Sequence, residues 1–515
     1  MKISLLIAVA FLSLNLPAQF PVFEKYYSDT ASVNCNSLAR DTDGGYIMAG
    51  TVPVGNSYHA AIYKTDSVGN LLWTRSYGDQ LDEYGMDVRA VSSGGYILVA
   101  TRHPSTIANY VVAIRINSTG GIVWQKVYAG GGLEEVNGVE PTYDGGFLIS
   151  GTSGSYGVPG AHVIKTLSDG TIQWRKVFGG SRGASRCSAK EIPLGGYILT
   201  TRINDSLTAI VNDVMVARLN PSGDTIWTLT YGGNQSDEPY DVDVCADGSF
   251  IVSGRTYSYG AGTSDIFLSK ISSGGQLMWT KTYGGTGIEI SFDADETSDG
   301  GYIISGWTDS FGFGNIDALL IRTNANGDTL WTSVSGTSGG NFPYEVVESA
   351  FGNFLFAGST YITNFSDYSA FLYSVDYNGY SGCNTRANGL QVLTHSIPIS
   401  NLEVTWYAPP GVSNTVFSPG SRTLTTTVIC SGTNTTEQSA LPTSVAVFPN
   451  PVDDQLTING SVVFQTATIY NLNGQIALTV PATSDRVDVS ALTPGMYALV
   501  LHGEHNNCSL RFIKK

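Results

Sequence analysis

The chain has 515 residues, 60 of them glycine, with 11% aromatic residues, only 14% charged residues and a formal net charge of −16. This composition describes a folded chain with many tight turns, not a disordered one. The acidic balance leaves no basic stripe for nucleic acid and gives no attraction to anionic lipid.

The first segment reads as an export signal over residues 1–18. Met1 and Lys2 give a positive start, Ile3 to Leu16 an apolar stretch, and the run closes at Ala18. The mature chain is expected to begin near Gln19. No other segment approaches the length of a membrane span.

From Phe20 the chain is organised by two ladders. Tryptophan falls at Trp73, Trp124, Trp174, Trp227, Trp279 and Trp331. A turn followed by an aromatic residue falls at Tyr46, Tyr96, Phe147, Tyr197, Phe250, Tyr302 and Phe354. Both step by 50 to 53 residues. Each unit holds four short runs rich in Ile, Tyr, Phe, Trp and Thr, separated by Gly, Asp and Ser, which predicts four antiparallel strands. A period near fifty with four strands is a β-propeller blade. Six units run to a Trp strand, and the seventh stops before one. The N-terminal stretch Phe20–Ser28 carries Phe23 at the Trp place and Tyr27 at the place of Tyr77 or Tyr283. The spacing therefore predicts seven blades, the last closed by an N-terminal strand that leaves no open edge. The unit "YGG…DGGYIISGWT…DALLIRTNANGDTLW" resembles the seven-bladed bacterial propeller repeat family of secreted and surface proteins, over roughly Phe20 to Gly382. That resemblance implies a fold and no uniform activity.

Beyond residue 382 the pattern changes. Residues 383–440 are read as a small β appendage closed by a Cys383–Cys430 disulfide, followed by a Thr/Ser linker. Cys35, Cys187, Cys245 and Cys508 share no repeat position and are left unpaired. Residues 441–515 alternate apolar strands with NG and PG turns, which predicts a compact β-sandwich. The tail resembles the C-terminal sorting domain of the type IX secretion system of Bacteroidota. The motifs in order are Phe448-Pro449-Asn450-Pro451, the IYNLNGQ run with Asn473-Gly474-Gln475, the TPGMYAL run with Pro494, Gly495 and Tyr497, and the basic end Lys514-Lys515. The resemblance implies passage through the outer membrane, the secretion machinery and its sortase as partners, and a product that is released or attached to the cell surface.

Catalytic patterns are few. Gly336 to Gly340 fits the letters of a nucleophile elbow around Ser338, but lies between strands where the elbow needs a helix. The six histidines show no metal spacing, and no cofactor motif occurs. Asp66 to Trp73 departs from the Asp-box of sialidase-type propellers, and Arg89, Arg102, Arg115, Arg182, Arg186, Arg202 and Arg255 read as scattered over different strand positions. One face stands out. The loop after YGG carries Asp82, Glu83, Glu134, Glu135, Asp237, Glu238 and Glu289, and the loop expected on the same face carries Tyr257, Tyr259, Phe311 and Phe313. Carboxylates among aromatic rings suit a sugar, a cationic peptide or Ca²⁺. Three functions stay open: a surface binding or adhesion module, an extracellular hydrolase of polysaccharide, and a structural scaffold.

Overall fold

In this computed structural model the described residues run from Val22 to Lys514. Excepted are 29–31, loop positions 106–107, 131, 156–158, 180–183, 194, 205–210, 337–338, 351 and 362–367, and the stretches between strands from 382 onward other than 452–454 and 489–493. The export signal and Ser338 lie outside the described residues.

Every described element is a strand. Seven antiparallel blades follow one another, and the sixth shows the pattern: Glu289–Glu296, Tyr302–Thr308, Asp317–Thr323 and Thr329–Ser335, paired in that order. The first strand of each blade lines the axis and the Trp strand is the outer one. The seventh blade takes its outer strand from the N-terminus: Val22–Ser28 pairs with Tyr368–Val375, setting Phe23 opposite Ser374 and Tyr27 opposite Ala370.

The two sequence ladders meet at the blade junctions. Each Trp ring lies against the aromatic residue of the following blade, Trp73 on Tyr96 at 6.1 Å, Trp174 on Tyr197 at 5.4 Å and Trp331 on Phe354 at 5.9 Å between centroids. The Trp rings are half-buried and several donate Nε1–H to the next outer hairpin, as Trp331 does to the Tyr377 carbonyl at 2.7 Å. That hairpin turns on a glycine because both its backbone and its space require one. Gly327 has φ +75°, and a Cβ there would lie 3.0 Å from the Trp279 ring. The Tyr four residues after the Trp place completes the joint: Tyr77, Tyr128 and Tyr283 donate to the carbonyls of Gly120, Gly170 and Gly327 at 2.9, 2.8 and 2.7 Å. The closing strand repeats both contacts. Tyr27 donates to the Gly69 carbonyl at 2.6 Å, and a Cβ on Gly69 would lie 2.7 Å from the Phe23 ring.

The stretch after the seventh blade differs from the expected separate appendage. It runs back around the rim as a belt, adding a fifth antiparallel strand to blade after blade. Thr385–Arg386 joins blade six, Gln391–His395 blade five, Ile399–Ser400 blade four, Trp406–Tyr407 blade three and Ser418–Ser421 blade one. Thr425–Gly432 ends the circuit on the closing strand Val22–Ser28. The physical reason is edge pairing: an outer strand offers a row of unpaired N–H and C=O groups, and an extended Thr-rich segment satisfies them. Propeller and belt form one compact unit, Pro21–Thr433. Cys383 lies outside the described residues, and Cys430 stands opposite Glu24 in the last belt strand, so the expected disulfide is not described. Cys35, Cys187 and Cys245 are buried free thiols.

The tail belongs to the other compact unit. It has a three-stranded and a four-stranded antiparallel sheet, whose residues Leu456, Ile458, Ile469 and Leu499 share one core.

Candidate functional site at the central mouth

Irregularity concentrates at one end of the central channel. In blades two to seven the innermost strand shifts register near its start, and the extra residue is left unpaired. Such a bulge bends the strand and re-aims a side chain. On blades four to seven the extra residues are Arg186, Tyr240, Phe292 and Tyr344, and they stack on one another. The Arg186 guanidinium lies 4.1 Å from the Tyr240 ring centroid and 5.6 Å from that of Phe292. Tyr240 meets Phe292 edge-on at 5.1 Å, and Phe292 meets Tyr344 at 5.0 Å. Arg186 is the single non-glycine residue with positive φ among the described residues, at 60°. A backbone strain of this kind, at the axis and under a charged side chain, marks a site held in place by its surroundings.

Two further arginines join it. Arg202 and Arg255 each stand five residues after the aromatic of their turn, Tyr197 and Phe250, and so occupy one repeat position on adjacent blades. Their shared partner is Glu238, 2.8 Å from Arg255 Nη2 and 3.3 Å from Arg202 Nη1. Tyr257 lies under Arg255 at 5.0 Å. The surrounding channel walls strip water from the Arg186 guanidinium and lower its pKa, although the side chain keeps an exposed face. Burial also pulls on Arg255, but Tyr240 and Glu238 outweigh it and the net shift is upward. The mouth thus gathers three guanidinium groups, two of them on one carboxylate and the third on a row of aromatic rings. This corrects the expectation of scattered arginines: Arg202 and Arg255 share a register, and the bulge carries Arg186 to them. Arg182 lies outside the described residues.

Deeper in the channel the charge reverses. Arg89 bridges Asp87 at 2.8 Å and Glu345 at 2.6 Å, and Lys190 reaches Glu140 at 3.6 Å. Asp243, Asp293 and Asp295 face the same channel. Burial and neighbouring carboxylates hold Asp293 and Asp295 well above the usual range, and burial pushes Asp243 up to about 6.

The expected acidic face is present as a register position but is not an open surface. Glu134, Asp237 and Glu289 start an innermost strand, Glu83 is the second residue of one, and all four are buried. Glu134 accepts from Ser153 at 2.8 Å and Glu289 from Thr308 at 2.6 Å; Asp237 accepts from the Gly233 amide at 2.7 Å. Burial pushes the Glu83 carboxyl up to about 7. Glu135 is exposed, and half-buried Asp82 accepts from the Tyr58 amide. Of the aromatics, Tyr257 joins the mouth. Tyr259 donates to the Gly232 carbonyl at 3.2 Å, Phe311 packs on the junction core, and the Phe313 amide donates to Asp317. Polysaccharide cleavage would need two accessible carboxyl groups across a cleft; these four are instead tied into blade ends.

Residues 446–515 match the family described as the secretion system C-terminal sorting domain. The tail is a type IX sorting domain. This sorting domain directs the chain through the type IX system to the cell surface. Within it Tyr497 is buried and donates to the Thr493 carbonyl at 2.9 Å, while Lys514 reaches Asp454 at 3.5 Å. Phe448 and Gly495 lie on strands; Pro449, Asn450, Pro451, Asn473, Gly474, Gln475, Pro494 and Lys515 lie outside the described residues. No described helix is long and apolar enough to cross a membrane. Among proteins with curated descriptions, none matches the chain. Several solved structures are distantly similar to the chain. Sqt1 from Chaetomium thermophilum is 13% identical with a TM-score of 0.39, covering 67% of this chain and 84% of its own. PorZ, a surface component of the type IX system of Porphyromonas gingivalis, is 11% identical with a TM-score of 0.23, covering 95% and 82%. The extracellular domain of a hybrid two-component system from B. thetaiotaomicron is 8% identical with a TM-score of 0.21, covering 96% and 100%. Likenesses this distant assign no role to the chain.

Proposed function

We propose that this exported propeller is a surface binding module, and that the central mouth grips an acidic glycan. Arg186 supplies the contact to a carboxylate on the sugar. Tyr240, Phe292 and Tyr344 give the apolar faces on which sugar rings lie, and Arg202 with Arg255 raise the local positive potential. The observation that supports this reading is Arg186 itself, exposed at the mouth, strained at φ 60° and stacked on Tyr240. A purely structural arginine has no need of that backbone.

The test is calorimetric titration of the propeller-containing chain with uronate-bearing oligosaccharides and their neutral counterparts. Acidic sugars are expected to bind and neutral ones to bind at least tenfold more weakly, a difference of about 1.4 kcal/mol. Arg186→Gly keeps the positive φ at no steric cost, so its melting temperature should not fall while acidic-sugar binding drops tenfold or more. Equal binding of acidic and neutral sugars, or unchanged affinity in Arg186→Gly, would overturn the assignment.

A further inference from the structure

The blade junctions carry a second pattern, away from the mouth. At most junctions a residue near the start of one blade's third strand faces the start of the next blade's inner strand, across the glycine at the end of the outer strand. The pairs change along the ring. His59 and Glu83 flank Gly78 between blades one and two, and Arg102 approaches Glu83 at 3.4 Å. At the edge of blade three that meets blade two, Glu134 is paired within its own blade, with His162 at 3.1 Å and Arg175 at 3.3 Å. The next pair is Gly160 and Ala184, with no charge at all. Beyond it come Asp213 with Asp237, Asp265 with Glu289, and Asp317 with Asn341, all buried.

The junction of Asp265 with Glu289 poses an electrostatic problem that the first two meet with cationic side chains. A Cβ on Gly284 would collide with Asp265 Oδ1 and lie 2.8 Å from Glu289 Oε2, so the two carboxylates face one space. Among the described residues no Lys, Arg or His pairs with Asp237, Asp265 or Glu289. Asp265 Oδ2 is fixed by the amides of Ala261 at 2.8 Å and Gly262 at 3.2 Å, which turns Oδ1 inward. Oδ1 has no hydrogen-bond partner, and neither has Asp237 Oδ1. At the last junction Asn341 and its strand neighbour Thr360 are fully buried, and both amide atoms of Asn341 and the Thr360 hydroxyl lack partners. Burying unneutralised carboxylates is costly. A shared proton would serve two acids, but Asn341 has no acidic proton to share. It does have an amide oxygen, and Asp, Asn and Thr oxygens together are ligands of a hard cation.

We propose that the three junctions from blade four to blade seven bind Ca²⁺, held by Asp213 and Asp237, by Asp265 and Glu289, and by Asp317, Asn341 and Thr360. The cation takes the place that Arg102, Arg175 and His162 fill at the earlier junctions. No junction brings three His, Cys, Asp or Glu together among the described residues, so hydroxyl, carbonyl and water oxygens complete each shell. Such sites are weak, with Kd of roughly 10⁻⁴–10⁻³ M, the range of extracellular modules.

The experiment is calorimetric titration of the exported chain with CaCl₂, together with its melting temperature in EDTA and in about 10 mM CaCl₂. Saturable binding and a rise of several degrees are expected. In Asp265→Asn/Glu289→Gln the rise should shrink and part of the binding should disappear, while the melting temperature in EDTA should not fall. If that variant does not fold, titration of the unaltered chain still decides. No heat of binding and no shift up to about 10 mM Ca²⁺ would overturn the proposal. So would a stability gain on acidification that vanishes in the variant without any Ca²⁺ effect, the mark of a shared proton. Neither result bears on sugar binding at the mouth.

Discussion

The outer rim and the central mouth are built from the same seven units, yet one keeps the repeat and the other departs from it. On the rim, Trp against aromatic, Tyr hydroxyl on a glycine carbonyl and glycine under the ring recur around the circle, and Phe23 and Tyr27 reproduce them at the closure. At the mouth the bulged position reads Met86, Asn137, Arg186, Tyr240, Phe292 and Tyr344, a different chemistry on nearly every blade. A contact that all blades need is architecture, because each junction poses the same packing problem. A position free to vary around a ring is where a single asymmetric ligand can be accommodated.

The largest effect that would test this contrast comes from removing Val22–Ser28. The seventh blade then loses its outer strand and the belt loses its terminal partner, so the melting temperature should fall by more than about 10 °C, or the chain should fail to fold. An unchanged value would mean that the rim repeat does not hold the ring. Next in size is Gly327→Val. A β-branched residue at φ +75° pressed on Trp279 should cost about 2–4 kcal/mol by chemical denaturation. The equivalent bulky change at Gly300, which has φ +79° but open space around it, should cost less. A larger loss at Gly300 would remove the packing half of the argument.

The smallest effect is the pH dependence of the channel. Asp293 and Asp295 have folded pKa values well above the usual range and Asp243 about 6, so the folded chain holds protons that the unfolded chain has already released. Protons bound in excess by the native state make stability fall as pH rises. The window opens near the unfolded carboxylate value of about 4 and extends to at least about 6. Asp144 and Asp247 act in the opposite sense. Burial raises them, but Lys165 with Thr142, and Ser249 with Lys270, bring each down to about 2, so their contribution is lost only as pH falls below about 4. The melting temperature should therefore be higher at pH 6 than at pH 8, by a few degrees. Asp295→Asn should reduce that difference and stabilise the chain at pH 8, and a flat profile would refute the channel charge argument.

Much of the rim was legible in the sequence. Trp and Gly-Gly-aromatic signals repeat at fixed spacing, and Phe23 and Tyr27 sit at the right offsets in the one strand without a blade of its own. The belt was not, because strands of two residues such as Thr385–Arg386 or Ile399–Ser400 carry no alternation to read. The mouth was half legible. Counting five residues from Tyr197 and Phe250 aligns Arg202 with Arg255. Arg186 comes to them only through a bulge, which repeat counting does not register. Glu83, Glu134, Asp237 and Glu289 share one repeat position, but spacing alone does not separate a carboxylate facing water from one folded into a junction.

The circuit of the belt has a mechanical side. Its last strand leaves the propeller at Gly432, opposite Val22, so both chain ends depart from the same end of the same blade. A surface protein held by its C-terminal side in flowing medium would feel drag at that point. The load enters through Thr425–Gly432 and falls first on the hydrogen bonds to the strand that closes the ring. Peeling begins at the Gly432–Val22 pair, so the force the ring withstands is set by this one ladder and not by the strength of the blades.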